Sequence, residues 1–306
     1  MAHEVESMAY AGEVPWHGLG TKVPANLSAY EMLKAADLDW KVKRVPNLIK
    51  WNGEYKETGD FKLVRDTDGK IFDNISEGWN EIQNHEAADF FYDFVEEGKM
   101  EMHTAGSLRG GAFVWFLAKV KESFTLGGKD HVDAHLLFTV PHQYGAATFI
   151  GLTPIRVVCM NTLRMALSRR GEYNVRISHA TKFDPEIVKE TLGLTHTKMD
   201  EFKEMAAFLS KRKASKDQVE EFLKSVFPAA SEDKLSRPAK TVLDVLETQP
   251  GAEFFPGTWW NAFNGITYAI DHLLGQSTDT RLTSAWYGVN KAKKLTALDK
   301  ALEMAS

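Results

Sequence analysis

The sequence contains a single cysteine, Cys159, among its 306 residues. It can therefore form neither an internal disulfide nor a zinc site built on several cysteines. Residues 1–25 contain Glu4, Glu6 and Glu13 and no apolar run, so we expect no signal peptide. No later segment approaches about 18 uninterrupted apolar residues, which predicts a protein that does not span a membrane. Together these features predict a cytoplasmic protein.

The chain also has no excess of positive charge, since 37 Lys and Arg face 42 Asp and Glu for a net charge of −5. The charges are nevertheless segregated. Residues 71–101 hold nine acids and one base, a sum of −8, whereas residues 134–183 hold six bases and one acid, a sum of +5. This distribution excludes a uniformly basic nucleic-acid coat but permits a basic groove on an acidic protein. The alternative is two solvated faces without a partner.

Strong motifs for catalysis or nucleotide binding are missing. Residues 107–111 are glycine-rich, but they precede a predicted strand and lack the Lys-Ser/Thr pair of a P-loop. Residues 16–20 are too short for a dinucleotide-binding fingerprint. Cys159 falls on the apolar stripe of a predicted helix, which favours a buried, inert thiol over a nucleophile paired with His179. We therefore predict a binding protein with no catalytic residues and no cofactor, rather than an enzyme.

One cluster has the composition of a metal site. His131, Asp133 and His135 would share one face of an extended segment, flanked by Asp130 and His142, and imidazole with carboxylate suits zinc or manganese. A metal-dependent nuclease is therefore one alternative function. Polar residues at period two are also typical of the wet face of an antiparallel strand. The second interpretation is favoured, so we predict no metal.

The spacing of apolar residues along the chain changes near residue 184. Before it, short β-rich runs are separated by Gly or Pro, and after it the pattern is helical, beginning with Asp184 as N-cap and Pro185 as first helical residue. We predict an α+β protein, with a core domain at 1–183 and a helical C-terminal region at 184–306. The predicted strands are 61–64, 112–120, 134–140, 147–152 and 173–178, and the predicted helices are 29–37 (with Ser28 and Glu31 as a capping box), 86–97, 201–209, 217–226, 240–246, 259–274 and 291–304.

The centre of the predicted core is a β-β-β-α unit. Strands 112–120, 134–140 and 147–152 are joined by glycine-containing turns, which favours an antiparallel meander. Thr153 and Pro154 then suit the first positions of a helix. Apolar residues from Ile155 to Ala166 recur at helical spacing, so we expect this helix to pack on the sheet.

Two basic clusters are candidates for binding nucleic acid. Cations neutralise phosphates, and exposed rings stack on unpaired bases, which together suit a single strand. In the first cluster, basic and apolar amino acids alternate between Trp40 and Trp51. The same pattern is typical of an edge strand protected by lysine. The candidate residues are Lys41, Lys43, Arg44 and Trp51 in the first cluster, and Arg156, Asn161, Arg164, Arg169, Arg170, Tyr173, Arg176 and Lys182 in the second.

Several segments resemble a phage and plasmid-like family designated domain of unknown function number 932. The resemblance covers residues 1 to about 304, and its most specific string is Arg-Val-Val-Cys-Met-Asn-Thr-Leu at 156–163; the other segments are 8–20, 83–87, 104–108 and 284–288. It implies a gene of phages, prophages or plasmids and hence a bacterial cytoplasm, but no established activity. The predicted core is also similar to that of ring-forming single-strand annealing recombinases. That similarity implies a homo-oligomer that binds single-stranded DNA or RNA without a nucleotide or metal.

The leading hypothesis is therefore a non-catalytic protein of a mobile element that binds and anneals single strands for recombination. The alternative from another class is a protein-interaction factor that acts on host or defence machinery through an aromatic C-terminal surface. For those aromatic residues, a buried helical core is the favoured interpretation. They are Phe254, Phe255, Trp259, Trp260, Trp286 and Tyr287.

Overall fold

The computed structural model describes residues 4–12, 15, 18–96, 99–156, 161–162, 174–185, 195–231, 234–275 and 289–306. Within these residues the chain forms a large, mostly antiparallel sheet, a small antiparallel sheet and a set of helices. This architecture confirms the predicted α+β class. None of the helices among these residues is long and apolar enough to cross a membrane.

The large sheet is built around the predicted meander. Its strands are β1 (Val5–Ala11), β2 (Thr21–Val23), β6 (Met100–Leu108), β7 (Phe113–Leu126), β8 (Asp130–Pro141), β9 (Thr148–Arg156), β10 (Asn161–Thr162) and β11 (Asn174–Ile177). They are ordered β10-β9-β8-β7-β6-β1-β2, with β11 pairing β9 beside β10. All neighbours are antiparallel except β1 and β2. The three central strands thus pair as the sequence predicts.

The small sheet is a long hairpin with a short third strand. It contains β3 (Val42–Trp51), β4 (Glu54–Arg65) and β5 (Ile71–Ile75), in the order β3-β4-β5. Asn52 and Gly53 form the hairpin turn with φ of 51° and 87°, the left-handed pair that a two-residue type I′ turn requires. Because β5 pairs only with the inner half of β4, the outer half of the hairpin is a two-stranded ribbon.

The helices are α1 (Ala29–Ala35), α2 (Asn84–Glu96), α3 (Thr195–Ser210), α4 (Lys216–Val226), α5 (Arg237–Val245), α6 (Trp259–Tyr268) and α7 (Val289–Ala305). Ser28 and Glu31 form the predicted capping box at α1. The helix predicted over 259–274 is α-helical to Tyr268 and then π-helical over Ala269–Leu273. Most of the helix predicted from Asp184 lies outside the described residues.

Two cores flank the meander. One lies between the sheet and helices α1 and α2, where Phe90 and Phe91 contact Phe138. The other joins the C-terminal helices to the end of the meander near the β7–β8 turn, and includes Phe124 and Trp260. The boundary between residues 183 and 184 remains a prediction.

The helix predicted from Thr153 and Pro154 is wrong at its start. Strand β9 continues to Arg156, and the short β10 pairs back onto its last two residues. β-Branched residues at 148, 150, 153 and 155 favour an extended chain beside β8. Pro154 is the cross-strand partner of Ala134 in β8 and lies between the residues of β9 that pair with β11 and those that pair with β10. Residues 157–160 and 163–173 lie outside the described part.

Arg65, at the inner end of β4, anchors the small sheet to the large one. Its Nη1 and Nη2 each donate to a carboxylate oxygen of Glu6 on β1 at 3.0 Å. Its Nε and Nη2 also donate to Asp68 at 2.9 and 2.6 Å, which holds the pKa of Asp68 well below its usual range. The guanidinium carbon lies 5.2 Å from the Trp40 ring centre. One side chain therefore joins β4, β1 and the start of β3.

We predict that Arg65→Lys lowers the free energy of unfolding by about 2 kcal/mol, because an ammonium cannot form the paired N–H contacts of a guanidinium. Urea-induced unfolding followed by circular dichroism measures this change. Arg237→Lys is the matched control, since Arg237 is exposed and surface substitutions of this kind change stability by about 0.5 kcal/mol or less. Equal effects of the two variants would contradict an anchoring role.

Candidate functional site

The second predicted basic cluster is described only in part. Asn161 and Arg156 are cross-strand neighbours in β10 and β9, and their backbones alone are described. Arg176 on β11 is exposed, as is Lys182. The remaining predicted residues, Arg164, Arg169, Arg170 and Tyr173, lie outside the described residues.

A connecting segment at residues 76–83 brings the two predicted clusters together. The His179 ring, just after β11, stacks on Trp79 with ring centres 4.0 Å apart, and its Nδ1 donates to the Asn80 carbonyl at 2.7 Å. On the same segment, Glu81 accepts a hydrogen bond from Nε of Arg44 at 2.7 Å. The end of β11 and the inner part of β3 are therefore held by one loop.

The basic residues of the first cluster differ in whether they already bind an acidic partner and in how exposed they are. Arg44 is engaged, because its guanidinium donates to both Glu81 and the Glu77 carbonyl. Lys43 is 65% exposed and lies 3.7 Å from Asp66, an ion pair that contributes little in solvent. Lys41 is exposed. The two lysines can thus meet a phosphate directly, whereas Arg44 would have to leave an acidic partner.

The two tryptophans of this cluster have opposite environments. Trp40 is buried, with 6% exposed, and packs on Phe72 and His142, so its ring is not placed to stack on a base. Trp51, beside the hairpin turn, is 59% exposed. Of the six tryptophans that the structure describes, the other five are buried: Trp40, Trp79, Trp115, Trp259 and Trp260.

Both faces of the outer hairpin are exposed and carry rings beside cations. Lys50 is the cross-strand partner of Tyr55, with its Nζ 6.0 Å from the centre of a ring that is 71% exposed. On the opposite face Lys56 pairs with Ile49, next to Trp51. Residues 41–62 hold six bases and three acids, a sum of +3. The positive excess lies at the inner end, because residues 47–60 hold two bases and three acids. The outer hairpin is therefore an exposed ribbon of mixed charge that carries two exposed rings, each near a lysine.

The predicted metal cluster is organised by ion pairing. The Asp133 carboxylate accepts from Nε2 of His131 at 3.0 Å and from Nζ of Lys119 at 2.7 Å. His131, Asp133 and His135 share a face of β8, as predicted, and His135 also contacts His103 of β6, with ring centres 4.8 Å apart. Among the described residues, no group of three His, Cys, Asp or Glu side chains is placed to hold a metal ion.

Two residues beside this cluster, His103 and Lys119, carry no signal in the sequence. Lys119 is the cross-strand partner of His135, and His103 is the extra residue of a bulge between Met102 and Thr104. A bulge redirects a side chain without a local sequence signal. The sequence pattern that indicates a polar site here is the alternation of polar residues along β7 and β8.

A family model described as "Domain of unknown function (DUF932)" matches residues 72–293. The chain belongs to the DUF932 family. This membership confirms the family resemblance seen in the sequence, while the likeness to annealing recombinases stays a prediction. No curated protein and no solved structure matches the chain. The DUF932 match begins after β3 and β4, so the exposed hairpin precedes the matched part.

Two buried histidines of this DUF932 protein are held neutral. Burial lowers the pKa of His142 to about 3, and burial with the neighbouring His103 lowers the pKa of His135 to about 3. Nε2 of His142 lies 3.0 Å from Oδ1 of Asn84. Because Asn84 uses its amide nitrogen to donate to the Leu38 carbonyl, His142 must be the donor in this pair.

We predict that this DUF932 protein loses stability as the pH falls from about 6.5 toward 3. Below about 6.5 the unfolded chain protonates both histidines while the folded chain does not. The free energy of unfolding should therefore fall by about 2 kcal/mol per histidine between pH 7.5 and pH 5. Urea titrations at the two pH values measure the loss. In His142→Gln the loss should shrink by about 2 kcal/mol, and an unchanged loss would argue against a neutral His142.

Proposed function

We propose that this protein binds single-stranded nucleic acid on the β3–β4 hairpin. The observation that carries the proposal is the exposure of Trp51 and Tyr55, while every other described tryptophan is buried. Exposing a large ring costs hydrophobic stabilisation, so a ring kept in solvent indicates a surface that meets a partner. Unpaired bases stack on such rings, whereas bases in a duplex are already stacked.

Two exposed lysines of the outer hairpin support the same partner. Lys50 and Lys56 are exposed, and neither forms an ion pair with any residue that the structure describes. They lie next to Tyr55 and Trp51 along the ribbon. A strand that stacks its bases on the rings can therefore place its phosphates near the two ammonium groups.

The proposal extends to annealing. A homo-oligomer that displays one hairpin per subunit could hold an extended strand with its bases accessible to a second strand. On this proposal the protein is encoded by a phage, prophage or plasmid and works in the bacterial cytoplasm, without catalysis or a cofactor. The exposed lysines on the hairpin, and Arg176 and Lys182 near β11, would share the phosphate contacts.

The C-terminal aromatic surface gives no support to the interaction alternative. Trp259 and Trp260 are buried in the helical core, with 1% and 2% exposed, and Phe254 and Phe255 are partly buried. Trp286 and Tyr287 lie outside the described residues. A protein partner would instead compete for the hairpin itself, where Leu48 is half-exposed.

We predict that Trp51→Ala weakens binding of a fluorescein-labelled 30-nucleotide deoxythymidine strand about tenfold, because one stacked base contributes about 1–3 kcal/mol. Tyr55→Ala should have a similar effect. Fluorescence anisotropy at low salt measures both affinities. Tyr144→Ala is the matched control, since Tyr144 is 64% exposed but lies outside the hairpin. Wild-type binding by the Trp51 variant would contradict stacking and favour a protein partner.

A second prediction concerns salt. The logarithm of the wild-type binding constant should fall linearly with the logarithm of the salt concentration, and Lys50→Ala with Lys56→Ala should reduce the slope by about 0.7 for each phosphate that is no longer neutralised. The same anisotropy titration at four salt concentrations measures the slope. Lys211→Ala with Lys216→Ala, two exposed lysines of the helical region, should leave it unchanged. Salt-independent binding, or none at low salt, would overturn the proposed function.

A further inference from the structure

A cavity of about 300 Å³ opens beside the bulge in β6. Cross-strand register places Glu101, Lys119 and His135 in one row over β6, β7 and β8, and the bulge adds His103. The wall is lined by side chains that include His103, His135, Lys119, Asp133, Ile155 and Ala25. Mostly apolar walls with a few convergent polar groups are typical of small-molecule sites.

The imidazoles in this wall lack partners. His135 is 2% exposed, and neither of its ring nitrogens makes a hydrogen bond of good geometry. The carbonyl of Asp133 lies close enough to influence its pKa but is not well directed. Nδ1 of His103 is likewise buried without a partner. Buried polar atoms are almost always hydrogen-bonded, so three buried ring nitrogens without a partner beside one cavity indicate a missing ligand.

The charges around the cavity exclude a simple ion as that ligand. The ammonium of Lys119 is already paired with Asp133 at 2.7 Å, and Glu101 adds a negative charge at the rim. An anion would therefore meet two carboxylates and one occupied cation. A metal ion would find only two imidazoles, since no group of three ligating side chains is in place within the described residues.

A neutral ring with adjacent donor and acceptor atoms fits these constraints. Each neutral imidazole offers one N–H and one acceptor nitrogen, so His103 and His135 can bind a ligand edge that both donates and accepts. Ile155 and Ala25 supply apolar contact for such a ring. The volume lies at the lower end of the range of about 300–1,000 Å³ for ligand pockets, which suits one base or nucleoside.

We propose that this cavity binds the base of a nucleoside, with His103 and His135 as its hydrogen-bonding residues. The choice of a nucleobase among heterocycles of this class rests on the proposed function. On this view the hairpin holds the strand by stacking and charge, and the cavity receives one base of it or a free nucleoside. The ligand supplies the partners that the imidazoles lack.

The first experiment titrates the intact protein with uridine, cytidine, adenosine and guanosine. Two-dimensional ¹H–¹⁵N spectra of the histidine rings report each imidazole separately. We expect at least one nucleoside to shift the ring signals of His103 and His135 and to leave those of His142 unchanged. If none of the four shifts His135 at millimolar concentration, the proposal is wrong.

The second experiment uses His135→Leu. We expect nucleoside affinity to fall roughly tenfold or more while the melting temperature stays equal or rises, because an apolar side chain replaces a buried polar one without a partner. His142→Leu is the matched control: it removes the bond to Asn84 and should lower the melting temperature without changing nucleoside affinity. A destabilised His135→Leu with unchanged affinity would assign His135 a structural role. If that variant does not fold, His103→Gln decides by the same affinity measurement.

The strand-binding assay separates the two proposals. If His135→Leu binds the deoxythymidine strand and nucleosides like the wild type while Trp51→Ala does not bind the strand, the cavity proposal fails and the hairpin function stands. If nucleosides bind and strands do not, the cavity stands as a nucleoside site and the proposed function fails.

Discussion

The position of the β3–β4 hairpin depends on the interaction of Arg65 with Glu6. A guanidinium that forms two parallel N–H bonds to one carboxylate defines direction as well as distance, and here the carboxylate belongs to the large sheet. The Trp40 ring against the guanidinium adds apolar contact at the root of the hairpin. From this point the ribbon extends away from the core. Its outer side chains are exposed and do not contribute to either core. Packing among the described residues therefore does not account for their exposed apolar area.

The polar residues of the meander show the same distinction between satisfied and unsatisfied groups. Asp133 receives hydrogen bonds from His131 and Lys119, so its buried charge is balanced within the protein. His135, two residues along the same strand, has no such partner. Both residues lie in the same strand. Folding accounts for Asp133, whose charge is balanced, but it does not account for a buried His135 whose ring nitrogens have no hydrogen-bond partner. The difference is what turns a polar strand face into a candidate binding site.

Local chemistry predicted the meander and a helix at each of α1 to α7, but no strand at β1, β2, β5 or β6 and little of the cavity. The glycines at 127–128 signal the turn of the meander, and Ser28 with Glu31 signals α1, because each acts over a few residues. The helix expected after Pro154 fails because Ile155 and its neighbours fit both a helical stripe and a strand, and pairing with β8 decides between them. The contact of His103 with His135 joins residues 32 positions apart through a bulge, which no local pattern encodes. The exposure of Trp51 could not be predicted either, because Trp40 and Trp51 flank the same basic segment and no sequence pattern distinguishes their burial.

The negative net charge of the protein is compatible with binding a polyanion because of where part of the acidic segment lies. Glu81 holds Arg44, and Glu86 accepts a hydrogen bond from the backbone of Gln83, whose side chain bonds both the N–H and the carbonyl of Val42. These acids therefore secure the inner end of β3 from one side. Lys50 and Lys56 lie beyond them on the outer hairpin, among Glu54, Glu57 and Asp60, where screening over about 8 Å at physiological salt confines the effect of each charge to its neighbours. The acids at the root therefore contribute by position, because they hold the strand that presents Lys50 and Trp51 to solvent.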